Sequence, residues 1–250
     1  MIPTWLEAGL WGLLGGAALV IGAAVAWWIP VRRSIVAAIM AFGAGVLISA
    51  LAFDLVAEAA DNAGVGPTTI GFLGGAVVYV LANVALDRRG ARHRKRAGDE
   101  QPSERQQGGS GMAIAVGALL DGIPESVVLG VSLLGGAQVS TAVIAAVFIS
   151  NIPEGLSSAA GMKAAGRSAR YVFGVWGGIA IASGVAALVG YAVLGGASAT
   201  VLAVITAVAA GAMLTMIADT MIPEAFARTQ ILTGLVTSLG FLTAFAIHRA

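Results

Sequence analysis

The chain has 250 residues, of which 58% are hydrophobic and 11% charged, and its mean hydropathy is +0.91. A soluble domain carries roughly 25% charged residues, so the composition excludes an ordinary globular protein and predicts a polytopic membrane protein of a single domain, residues 1–250. Cysteine is absent, which excludes disulfides and thiolate metal sites, and a net charge of +1 says less than the placement of the charges.

A membrane span needs about 20 mostly apolar residues. Eight runs qualify: Leu6–Ile29, Ile35–Ala59, Thr68–Leu86, Met112–Leu134, Val139–Met162, Tyr171–Leu194, Thr200–Met221 and Thr229–His248. The first has no basic residue ahead of it and exceeds the roughly 7–15-residue apolar core of a signal peptide, so it reads as a retained span. Trp5, Trp27 and Trp28 near its ends suit an interfacial aromatic belt. The links are short except for Asp87–Gly111. That stretch is polar and basic, contains Pro102 and ends in Gly-Gly-Ser-Gly, the composition of a flexible cytoplasmic loop.

Lysine and arginine set the orientation. With the N-terminus outside, the inner links carry Arg32 and Arg33; Arg88, Arg89, Arg92, Arg94, Lys95, Arg96 and Arg105; Lys163, Arg167 and Arg170; and Arg228. Together these are 13 of the 14 basic residues, with Arg249 the exception. The positive-inside rule therefore predicts an N-out, C-out chain of eight spans. The run Arg88–Arg96 reads as a lipid-facing topogenic segment rather than a nucleic-acid patch, and His93 within it as solvated.

The second and seventh spans align without gaps. Gly45 and Glu58 are 13 residues apart, as are Gly211 and Glu224, and the two spans run in opposite directions. The fourth and fifth spans are opposed in the same way and carry D-G-I-P-E (Asp121–Glu125) and S-N-I-P-E-G (Ser150–Gly155). The expected fold is all-α, with inverted repeats (spans 1–3 and 6–8) around central spans 4 and 5. Polar, helix-breaking residues near the midplane of inverted repeats mark many secondary transporters.

The ionisable residues at membrane depth are Asp54, Glu58, Asp121, Glu125, Glu154, Asp219 and Glu224, all of them acids. No Lys, Arg or His lies within the core of a span to pair with them. An unpaired buried carboxylate takes up a proton or needs a cation, so the set points to a cation or proton pathway. Asp121 and Glu125 share a helix face, as do Ser150 and Glu154. Two opposed helices can thus offer these four side chains to one ion near mid-membrane. Pro124 and Pro153 are expected to break the helices and free the carbonyls of Leu120 and Ile149. Asp54 and Glu58 read as an outer access pair, Asp219 and Glu224 as inner exit ligands.

The motifs A-L-L-D-G-I-P-E-S, S-N-I-P-E-G, F-G-A-G-V-L…E-A and G-A-M-L…I-P-E-A resemble those of the ZIP (Zrt/Irt-like) divalent metal transporters, close to bacterial members, and the likeness extends over all eight spans. That family builds its transport site from the fourth and fifth spans, with the pattern His-Asn-x-Pro-Glu-Gly in the fourth. Here Asp121 stands at the histidine, Gly122 at the asparagine and Ser126 at the glycine. The resemblance implies a first site of Asp121, Glu125, Ser150 and Glu154, with Asn151 the remnant of a second, because Ala187 stands where some relatives place a sixth-span glutamate. It also implies movement of spans 1, 4, 5 and 6 against 2, 3, 7 and 8, a homodimer, and a bacterial inner membrane.

Imidazole favours zinc, and all-oxygen sites suit harder ions. The histidine-free site therefore predicts a broad divalent carrier (Zn, Mn, Fe, Co or Cd) holding one ion. Its partners are lipid and the transported metal, without nucleic acid or prosthetic group. The alternatives are a proton or monovalent-cation pathway, and an intramembrane metal-dependent enzyme, for which no nucleophile or oxyanion arrangement is found; the expectation is a non-enzyme.

Overall fold

In a computed structural model, the residues described are 2–91, 94, 101, 103, 106, 109–134 and 141–249. His93, Pro102, Arg92, Lys95, Arg96, Arg105 and the expected start of the fifth span at Val139 lie outside them. The described residues are largely helical, without a strand, and include eight helices long and apolar enough to cross a membrane. These are α1 (Thr4–Trp28), α2 (Arg33–Ala63), α3 (Val65–Arg89), α4 (Ser110–Val131), α5 (Thr141–Ala164), α6 (Ala169–Leu194), α7 (Ala199–Thr229) and α8 (Leu232–Arg249). The eight expected runs are these eight helices. They differ at the ends because helices propagate through interfacial polar residues that a hydropathy reading discards.

Hydrogen bonds at the two ends of the bundle fix which links are neighbours. At one end, Lys163 Nζ donates to the Trp27 carbonyl at 2.6 Å, and the Arg167 guanidinium donates to Ser110 Oγ at 2.8 Å. The end of α1, the start of α4 and the α5–α6 link therefore lie together. At the other end, His248 Nδ1 lies 2.8 Å from Asp54 Oδ1, joining the end of α8 to the far part of α2.

Lipid tails are as apolar as leucine, so helices in a membrane associate through close van der Waals packing, and small residues permit it. The glycines here show where. A Cβ at Gly45 of α2 would sit 1.9 Å from the Thr237 carbonyl oxygen of α8, and one at Gly240 of α8 would sit 2.0 Å from that of Phe42 of α2. The α3–α7 pair has the same construction: Gly75 meets the Val208 oxygen and Gly211 that of Phe72, each at 1.9 Å. α1 lies on α5 through Gly22 and Gly155, and on α6 through Gly12 and Gly16. α2 against α5 and α4 against α7 join these groups.

Gly74 and Gly75 give a paired test of the packing. A Cβ at Gly74 meets nothing within 4 Å. Gly75→Ala is expected to lower stability by about 1–3 kcal/mol through overpacking. Gly74→Ala is expected to be neutral or slightly stabilising, because alanine loses less backbone entropy in a helix. Thermal unfolding of both variants in the same detergent checks the contrast.

Two helices change pitch at matched places. In α2, Leu51–Val56 forms a π-helical stretch holding Asp54; in α7, Ile217–Met221 forms another holding Asp219. Such π turns are costly and recur at functional sites. The same stretches follow Gly45 and Gly211, so the two aligned segments share a backbone irregularity as well as a glycine contact. Met213, Met216 and Met221 of α7 are buried core packing. α3 also continues past its apolar run as a π-helical turn, Asp87–Ala91. Its last residue, Ala91, is buried.

Candidate cation site

α4 and α5 carry the central acids. Both helices run on through their prolines, Pro124 and Pro153, rather than breaking there. A proline removes one N–H donor and strains one turn, and neighbouring helices in a membrane hold such a turn in place. Gly43 of α2 supplies part of that support: a Cβ there would lie 3.1 Å from Pro153 Cγ and 3.3 Å from Ser150 Cα.

Asp121, Glu125 and Glu154 are 1%, 2% and 3% exposed, and Ser150 is fully buried. Ser150 Oγ donates to the Val147 carbonyl at 3.0 Å. Asn151 turns to the first helix, its amide donating to the Gly15 carbonyl at 3.0 Å, so it fastens α1 against α5. One turn beyond Glu154, Ser157 Oγ donates at 3.2 Å to Glu224 of α7, which is buried. Asp219, expected beside Glu224, is exposed on the π turn instead. Five residues along a locally unwound helix put the two carboxylates on different sides.

The expectation that the central acids lack a basic partner fails at Asp121. Arg94, counted in the cytoplasmic loop, is 1% exposed and forms a two-pronged ion pair with it. Nε donates to Asp121 Oδ2 at 2.9 Å and one terminal nitrogen to Oδ1 at 2.9 Å. The same nitrogen donates to Tyr79 Oη at 2.9 Å, and the other to Asn83 Oδ1 at 2.8 Å and the Ala91 carbonyl at 3.4 Å. All five N–H groups of the guanidinium thus have acceptors, and its planar fork fits the carboxylate. Tyr79 also donates its hydroxyl to Asp121. The charge of Glu154 reaches both Arg94 and Tyr79.

Burial opposes the charged form of Arg94, but the Asp121 charge and hydrogen bonds outweigh it and hold the guanidinium pKa above its ordinary value. The chain makes room for this side chain. A Cβ on Gly117, one turn before Asp121, would sit 2.6 Å from Arg94 Cδ and 3.0 Å from Nε. Gln101 then caps the arrangement, its amide donating to the Arg94 carbonyl at 2.9 Å and the Ser158 carbonyl of α5 at 3.1 Å.

The opposite side is closed by side chains of another kind. Val128, Leu129, Val143 and Val147 are buried above the acids. Beyond Val128 and Val143 opens a cavity of about 170 Å³ lined by Asp54, Glu58, Asn62, Ser132 and Thr206 among others. The expected access pair therefore lines a vestibule, separated from Glu125 by an apolar floor. Asp54 is engaged there by His248.

Among the described residues, no three His, Asp or Glu side chains converge so as to hold a metal ion in this conformation. The cation that the cluster holds is the arginine. Ala187, where the resemblance noted in the sequence set a glutamate in some ZIP proteins, is fully buried. A Cβ on Gly130 would lie 2.3 Å from its carbonyl oxygen, and one on Gly12 would lie 2.6 Å from its own Cβ. The α1–α4–α6 junction leaves no space for a longer side chain at that position.

Arg94, Tyr79, Asn83, Gln101, Gly117 and Ser157 were not among the candidates drawn from the sequence. Tyr79 and Asn83 had a signal: two polar residues four apart, on one face of an apolar span. Arg94 had none, since six like charges surround it in the sequence. No family model matches the chain, and no curated protein matches it.

Proposed function

We propose that this protein is a carrier for divalent metal cations, of the Zn, Mn, Fe, Co or Cd type, moving them across a membrane toward the cytoplasm. The carrying observation is the burial of Asp121, Glu125 and Glu154 midway along two opposed, proline-containing helices, with a cation already seated on one of them. Intramembrane acids are costly and are kept for ion or proton traffic. Glu125 and Glu154 add two further buried carboxylates beside Asp121, oxygen donors of the kind a divalent ion takes. Oxygen-only donors suit a broad range of such ions rather than zinc alone.

The vestibule of Asp54 and Glu58 is the way in, and Ser157 with Glu224 the way onward. The matched π turns and glycine crossings of α2–α8 and α7–α3 support an inverted-repeat carrier, in which one helix group rocks against the other. The likeness of the two I-P-E motifs to ZIP transporters supports the same class, and N-out, C-out orientation follows from the basic links. A homodimer and a bacterial inner membrane belong to that likeness.

The test is uptake by purified protein in liposomes, with Zn, Mn, Fe, Co, Cd and Mg offered in turn. Accumulation of at least one of these ions over empty vesicles is expected. Movement of protons or monovalent cations alone, with no divalent ion taken up by folded protein, ends this reading in favour of a proton or monovalent pathway.

A further inference from the structure

We propose that the apolar cavity between α2, α3 and α7 seats one acyl chain of a phospholipid with a primary-amine headgroup, and that the seated chain braces the π turn carrying Asp54. The seat lies apart from the central acids and does not depend on which ion is carried.

The cavity measures about 530 Å³, within the roughly 300–1,000 Å³ of small-ligand pockets. Protein interiors are close-packed, with few voids larger than a water molecule, so a space of this size is filled. Water does not suit it. The lining is apolar except for Thr68 and Thr69, and both hydroxyls already donate within their own helix, to the Gly64 carbonyl at 2.9 Å and the Val65 carbonyl at 2.8 Å. Cavities so lined stay dry. The rim is continuous with the apolar surface that α3 turns outward to the bilayer: Val65 is 75% exposed and Leu73 58%. Hydrocarbon is the filler these surroundings supply.

The length agrees. The lining extends along α2 from Ile48 to Ala60, about 18 Å at about 1.5 Å per residue, close to half of the roughly 30 Å hydrocarbon core. One chain from one leaflet has that reach. It enters at the α2–α3 link, where Ala60 and Val65 line the cavity. The stretch from Ala57 to Thr68 carries Glu58 and Asp61 and no base, and both acids are exposed. A carboxylate accepts hydrogen bonds from a primary ammonium, finds no N–H donor in a choline and repels an anionic headgroup. Charge at the mouth therefore selects a lipid of the ethanolamine type.

The π turn of α2 stands between this cavity and the vestibule. Leu51, Ala52 and Val56 line the cavity, whereas Asp54 and Leu55 of the same turn line the vestibule. Side chains that border a void lose packing contacts on that side. An acyl chain restores them and so steadies Asp54 on the other side of the turn.

The experiment uses the full chain, with phosphatidylethanolamine, phosphatidylcholine and phosphatidylglycerol offered in equal amounts and bound lipid read by native mass spectrometry. One phosphatidylethanolamine per chain is expected to survive removal of detergent. Ala52→Phe and, separately, Thr69→Phe place a ring in the cavity, and each is expected to lose that adduct. The two lie on different helices, so a folding failure in one leaves the other. Asp61→Asn is expected to keep the lipid but to lower the preference for phosphatidylethanolamine over phosphatidylcholine about 1.5–5-fold, the size of an exposed ion pair. Hydrogen exchange at amides 51–56 is expected to be slower with lipid bound than after delipidation, and indifferent to lipid in the two phenylalanine variants.

No adduct on the unaltered protein, or an adduct that persists in the folded phenylalanine variants, overturns the seat. A dimer without bound lipid, lost in those variants, makes the cavity a contact between two copies of the chain and overturns it as well. A headgroup preference that is absent, or unmoved by Asp61→Asn, overturns the amine selection. Exchange at 51–56 that ignores lipid in the unaltered protein overturns the brace. Each of these results leaves divalent-ion uptake to be read separately in liposomes, so failure of the lipid seat and failure of the carrier reading are distinguishable.

Discussion

Asp121→Asn is expected to be the most destabilising polar substitution in the protein, at about 3–5 kcal/mol for breaking a buried ion pair from one side. The reason is an asymmetry between the partners. Arginine does not shed its proton in a protein, so the amide leaves a full positive charge against a neutral oxygen, within a cluster where Arg94 is 1% exposed. An aspartate losing its arginine has a way out, because it takes up a proton. Arg94→Gln should therefore cost clearly less than Asp121→Asn, although both remove the same ion pair. Replacing the two together by apolar residues of similar volume should recover much of the loss. Unfolding of the four proteins in one detergent measures the cycle. Equal losses from the two single changes would show that Arg94 is not held as a charge. The pair of Asp54 with His248 is the contrast: its histidine is 30% exposed, and such pairs contribute about 0–1 kcal/mol.

The second large effect falls on transport. Glu125→Gln and Glu154→Gln keep the shape of the side chains and remove the charge. Losing one charged partner of a buried ion costs about 2–5 kcal/mol, which is about thirtyfold or more in affinity at roughly 1.4 kcal/mol per decade. Uptake in liposomes at ion concentrations near the binding constant of the unaltered protein should fall accordingly for either change. Asp219→Asn should leave uptake close to that of the unaltered protein, because Asp219 is exposed on its π turn, away from the buried cluster. Near-normal uptake by both glutamine variants would remove Glu125 and Glu154 from the pathway. Strong loss in Asp219→Asn would restore the exit role expected from its place in the sequence.

The division between what was legible and what was not follows the range of the forces. Eight helices were readable because the membrane imposes a local rule: each crossing needs its own apolar length and its own internal hydrogen bonds. The facing of Asp121 with Glu125 and of Ser150 with Glu154 was readable for a similar reason, since helical periodicity places residues four apart on one face. The aligned stretches after Gly45 and Gly211 were visible too, and their matching π turns accompany that alignment.

Other features depend on which distant residues meet, and composition misplaces them. Asp219 and Glu224 sit close in sequence, yet local unwinding of α7 sends one outward and the other onto Ser157. Asn151 precedes the fifth-span proline like a ligand, yet the close approach of α1 gives its amide the Gly15 carbonyl. Arg94 is the largest case. By sequence it is one basic residue in a polar run; by structure it completes the Asp121 site from the far side of a loop, with Tyr79, Asn83 and Gly117 prepared for it. The sequence alone determined the helices, their faces and the burial of the central acids Asp121, Glu125 and Glu154, because these follow from short-range periodicity and the cost of charge in an apolar solvent. Only the tertiary structure decided which charge balances Asp121, because an ion pair is set by distance in space, and its two members stand on opposite sides of a turn in the chain.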